Sequence, residues 1–232
     1  MLPSIEIFDA SVVFVGDFNP AIFSPDWLER NQLLGSSDAQ VAREDKNLII
    51  SHEITRYETD WFHFQVLQQQ FSVSSKGVVS LNLRDLAIGI TSLVPQTPVR
   101  ALGLNFMAHY KMQSLADYHK LGDVLAPKNI WNKLFQNDTY SAGLEAMTIR
   151  IDPCKRGEEP KFKDAQRITL QPSSRVTPGV FFSLNNHFDI GSRNDSSATT
   201  AEQAVKIIGE QWETSVKRST EIFESVIASS LK

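Results

Sequence analysis

From Pro98 to Tyr110 the chain alternates strictly. Leu102, Leu104, Phe106, Ala108 and Tyr110 share one face, while Ala101, Gly103, Asn105, Met107 and His109 share the other. A period of two sends successive side chains to opposite sides of a strand, so this stretch predicts a strand with a core side and a more polar side. Just upstream, Leu83, Leu86, Ala87, Ile90 and Val94 recur every three or four residues, the spacing of one buried helical face. Pro95 and Pro98 stop that helix. Before it, residues 71–75, a turn over Ser74, Ser75, Lys76 and Gly77, and residues 78–81 predict a hairpin.

The same reading extends along the chain. Residues 5–18 form a long strand, apolar on both faces from Val12 to Val15 and so expected to lie centrally in a sheet covered on both sides. Ser24, Pro25 and Asp26 open a short helix that stops at Gly35, and residues 36–47 read as a surface loop with room for one helical turn. Residues 48–73, rich in β-branched and aromatic side chains, predict two or three strands. Ser114 with Asp117 starts a helix to Ala126, and a second runs from 128 to 135. Strands follow at 141–151 and 166–170. A last strand sets Val180, Phe182, Leu184, Phe188 and Ile190 against Phe181, Ser183, Asn185, His187 and Asp189. Thr199, three residues before Glu202, opens a final helix about 45 Å long. No internal repeat is visible.

These elements predict an α+β fold: a mixed or mostly antiparallel sheet of about six to eight strands covered by helices, with a long C-terminal helix. Residues 1–190 form the α+β domain, 191–198 a linker, and 199–232 the amphipathic helix, which packs on the domain or on a partner subunit.

Composition narrows the function classes. The chain has 232 residues, 41% hydrophobic and 22% charged, with no apolar run of membrane-spanning length, so no membrane partner is expected. Cys154 is the single cysteine, which excludes an internal disulfide and predicts a reducing, cytoplasmic home. The net charge of −4 is uneven: −7 falls within the first sixty residues. Lys155, Arg156, Lys161 and Lys163 form a basic patch too sparse to make nucleic acid an expected partner.

Catalytic signatures are missing. Neither phosphate-binding glycine pattern occurs, and His52 and Glu53 begin a zincin motif that fails at Arg56. No metal site and no cofactor are expected. The remaining constellation is on strands: His109, His187 and Asp189, with Asn105 and Asn185, would share one surface if their strands were neighbours, which is enough for acid–base work. Trp61, Phe64, Phe106 and Phe182 are candidates to line an apolar ligand cavity between the sheet and the C-terminal helix. Trp212, Val216, Phe223 and Ile227 give that helix an apolar face able to meet a partner.

The strand carrying Pro98, Val99, Arg100, Gly103, Leu104, Asn105 and Phe106, preceded by a hairpin and a helix, resembles an uncharacterised, sporadically distributed bacterial α+β family over about forty residues. Asn105 and Phe106 depart from the Arg-Tyr pair of that family's strand. The resemblance implies a bacterial origin and carries over no catalytic residue.

The leading expectation is therefore a non-catalytic protein-binding or assembly component of a bacterial complex, acting on a protein partner or by self-association as an oligomer. A small-ligand-binding domain and a hydrolase-like enzyme using the His/Asp cluster are the alternatives.

Overall fold

The computed structural model describes residues 3–132, 142–159, 161–193 and 198–232. The alternating segments become strands of one nine-stranded sheet in which every pairing is antiparallel. The strands are β1 (Ser4–Gly16), β2 (Ile49–Ile50), β3 (Ile54–Glu58), β4 (Phe62–Leu67), β5 (Gln70–Ser75), β6 (Val99–Lys111), β7 (Met147–Ile151), β8 (Ala165–Pro172) and β9 (Gly179–Asp189), in the spatial order β2-β3-β4-β5-β1-β6-β9-β8-β7. The α-helices described are α1 (Pro25–Arg30), α2 (Ser36–Glu44), α3 (Leu81–Leu93), α4 (Leu115–Leu125), α5 (Asn129–Asn132) and α6 (Thr200–Leu231), with one 3-10 turn at Pro20–Ile22.

Alternation decides which side of the sheet is covered. Ala10, Val12 and Phe14 of β1, Leu102, Leu104 and Phe106 of β6, and Phe182 and Leu184 of β9 are fully buried beneath helices. Their neighbours Ser11, Val13, Asn105, Met107, Ser183 and Asn185 face the other way and are half-buried at most. The sequence predicts cover on both faces of β1; among the described residues helices cover one, and Val15 is 38% exposed. Apolar runs in a central strand need not mean two covers, because a bare face next to long neighbouring strands already shields half of each side chain.

α6 lies across that covered face. Its buried positions, including Ala204, Ile208, Trp212, Ser215, Ser219, Phe223 and Ile227, step by three or four residues and point at the chain's own sheet. Trp212 belongs to the core shared with β1 and β6, whereas Phe223 and Ile227 join a second core with Leu121 of α4 and Phe182 of β9. Thr199 caps the helix through a reciprocal pair with Glu202. Thr200 Oγ1 accepts from Val99 N at 2.9 Å, which ties the start of α6 to the start of β6.

Three other expectations change. Residues 78–81 do not return as a hairpin arm: β5 pairs with β4 through Gln68 and Gln69, and Val78 is 68% exposed. Residues 36–44 are a full helix rather than a loop with a single turn, because Ala39 and Ala42 make a small apolar face that buries on β3 despite a polar exterior. Residues 48–75 hold four strands. Of the helix expected over 128–135 and the strand over 141–151, Asn129–Asn132 and Met147–Ile151 are observed, and residues 133–141 lie outside the described residues.

The two halves of the chain also run through a similar order of elements, with four meander strands in the first and three in the second. Each half of the chain is a long strand, two helices, a meander and a further helix: β1, α1 and α2, β2 to β5, α3; then β6, α4 and α5, β7 to β9, α6. In each half the last meander strand pairs with the long strand, the two long strands pair with each other, and α3 packs on α6. A pseudo-two-fold axis thus passes between β1 and β6, close to Ser11 and Asn105, which are register partners.

Candidate functional site

The face of the sheet left bare by the described helices is about 40 Å across, at about 4.8 Å per strand. Register aligns its side chains into rows. One row starts at the pseudo-dyad with Ser11 and Asn105, continues to Ser74 and Asn185 on the next strands out, then to His63 and Arg167, and ends at Glu58 and Arg150. Its centre is small, neutral and polar, and its ends are charged. The rows on either side are also related by the pseudo-dyad: Val13 and Met107 correspond, as do Ser72 and Ser183, and Gln65 and Thr169.

Hydrogen bonds lock the centre. Asn185 Nδ2 donates to Asn105 Oδ1, and Asn105 Nδ2 donates to Ser11 Oγ at 3.0 Å. A Cβ on Gly103 would stand 3.3 Å from Asn185 Nδ2, so the glycine leaves room for that amide to lie flat on the sheet. At one end Glu58 pairs with His63 at 2.7 Å and Lys76 at 3.0 Å. The Lys76 hydrogen bond, seconded by the charges of Lys76 and His63, holds the Glu58 carboxyl below the usual range against the opposing effect of burial.

The loop after β8 folds over another corner of this face. Ser173 Oγ accepts from Arg175 N and Val176 N, and lies 2.7 Å from His109 Nδ1. The His109 ring meets Phe181 at 4.8 Å and is 7% exposed. Burial pushes its pKa below the ordinary histidine value; Arg175 adds to that and Asp9 opposes it. With Ser173 already accepting two backbone donors, this pair fastens a loop.

β6 and β9 are indeed neighbours, so His109, His187 and Asp189 share one face, with Asn105 directly opposite Asn185. The three are not brought to one point: His109 is opposite Phe181, six residues or about 20 Å along β9 from His187. The Asp189 carboxylate accepts from Ser192 N and Oγ.

Phe64, Phe106 and Phe182 are buried on the helix side, ring against ring with Tyr57, Trp212 and Phe223 at 4.7, 5.4 and 5.0 Å. The contacts with Trp212 and Phe223 pack the sheet against α6 at those positions. Trp61 is half-buried and donates Nε1 to Asp38. Trp212, Phe223 and Ile227 are at most 1% exposed, and Val216 is half-buried. Lys155, Arg156, Lys161 and Lys163 are exposed in the loop between β7 and β8.

Sequence reasoning put Ser183 on the polar face of its strand but brought neither it nor Ser11, Ser74 or Arg167 into the candidate site. Ser11, set between Ala10 and Val12 in an otherwise apolar strand, was the readable signal of a polar face.

Among the described residues no helix is long and apolar enough to cross a membrane, and no cluster of three His, Cys, Asp or Glu side chains is placed to hold a metal ion. No protein-family model matches the chain, and no curated protein matches it.

Proposed function

We propose that this chain is a non-catalytic binding component that docks a protein partner on the bare face of its sheet. The carrying observation is the hydrogen-bonded row of Asn185, Asn105 and Ser11 at the centre of a face that no described helix covers. Held side chains lose little freedom on binding, which favours recognition. At about 40 Å across, the face exceeds the roughly 800 Å² per partner of a standard interface. A neutral polar centre with mixed charges at its ends suits a protein better than nucleic acid, which calls for a denser array of cations.

The test is native mass spectrometry of protein purified gently from its host, with wild type beside Asn105→Arg and Ser183→Arg. A partner polypeptide that accompanies wild type and is lost from both variants, at unchanged unfolding midpoints, supports the reading. A partner retained by both variants sinks it.

A further inference from the structure

On the opposite side of the sheet, residues of β8, β9 and α6 line a common cleft. Its volume is about 320 Å³, and it opens between Gln166, Asn186 and Phe188 on the strands and Gln211, Ser215 and Arg218 on the helix. That volume is at the lower end of small-molecule sites. Asn186 is 4% exposed, and its Oδ1 accepts from Gln166 Nε2 at 2.9 Å. This bond fixes the amide so that Nδ2 is left a donor with no hydrogen-bond partner among the described residues. A buried donor without an acceptor is costly and rare in native interiors. At the mouth, Arg218 is exposed and forms no ion pair among the described residues, whereas the nearby Asp164 is already taken by Arg193.

We infer that this cleft binds a small organic acid bearing a second oxygen acceptor, with its carboxylate on Arg218 and the second oxygen accepting from Asn186 Nδ2. The apolar ring of Phe188 covers the carbon chain between them.

The probes are glutarate and levulinate, which carry both groups, and propionate, which has the carboxylate alone. Calorimetric titration of the full chain should give saturable binding of glutarate and levulinate at millimolar concentration, with propionate about tenfold weaker. Arg218→Gln and Asn186→Leu should each weaken levulinate binding about tenfold or more. The exposed position of Arg218 keeps that variant folded, and the Asn186 side-chain amide resonance should move on titration of wild type. No saturable response to either acid overturns the proposal, as does levulinate binding that survives either substitution unchanged.

Discussion

Trp212 meets Phe106 edge-on, with ring centroids 5.4 Å apart and planes at 64°, and both side chains are at most 1% exposed. This contact joins the middle of α6 to the middle of β6. Trp212→Ala removes the largest fully buried side chain where helix and sheet cross, and is expected to cost about 3–5 kcal/mol. Denaturant unfolding followed by circular dichroism measures it. A loss under about 1 kcal/mol would mean that α6 is not seated on the sheet as described.

At the start of the same helix, Thr199→Ala should cost about 1 kcal/mol, because it removes the acceptor for Glu202 N. The reciprocal bond from Thr199 N to Glu202 makes the two residues one unit. In a double-mutant cycle the losses from Thr199→Ala and Glu202→Ala should therefore sum to more than the loss in the double variant.

Two glycines separate close approach from mere flexibility. A Cβ at Gly16 would collide with the Pro98 carbonyl oxygen, a backbone atom that cannot swing aside, so Gly16→Ala should destabilise by about 1–3 kcal/mol. Gly209, exposed within α6, has open space around the same position, and Gly209→Ala should stabilise by about 0.5–1 kcal/mol. Thermal melts of the two variants should shift in opposite directions.

His109 gives a pH signature. In the folded chain its pKa lies below the unfolded value of 6.5, so between the two values the unfolded state binds more protons. Stability from this group is fully present above pH 6.5 and declines as pH falls through that window. His109→Gln should flatten the fall in unfolding free energy between neutral pH and about pH 5.5, above the range of ordinary carboxylates. Equal slopes for variant and wild type would contradict the burial of the ring under the Ser173 loop.

Much of this architecture was legible in the sequence because local pattern and tertiary structure agree. The period of two in β6 and β9, the Pro stop after α3 and the Thr199 cap are local rules that the fold obeys. Misreadings came where a segment's identity depends on distant partners. Residues 78–81 have strand composition but no neighbouring strand to pair with, and residues 36–44 look like a polar loop until Ala39 and Ala42 find β3. The bare face was half visible: the sequence shows Asn105 and Asn185 on mixed strand faces, but pairing them with Ser11 and Ser74 requires the register. The similar order of the two halves was invisible because it lies in which strands pair, and pairing is set by contacts far apart in the chain.

The pairing of β1 with β6 has a consequence during synthesis. Pairing along β1 and β6 joins positions from Gly16 with Val99 to Ser4 with Lys111, so the centre of the sheet cannot close until both halves exist. A ribosome that has delivered β1 to β5 holds a half-sheet whose innermost strand presents a full-length, largely apolar edge, the kind of template on which chains aggregate. For that interval the first half depends on rapid arrival of the second, or on a chaperone that masks β1. Slowing translation between α3 and β6 should then lower the yield of folded protein without altering the stability of what folds.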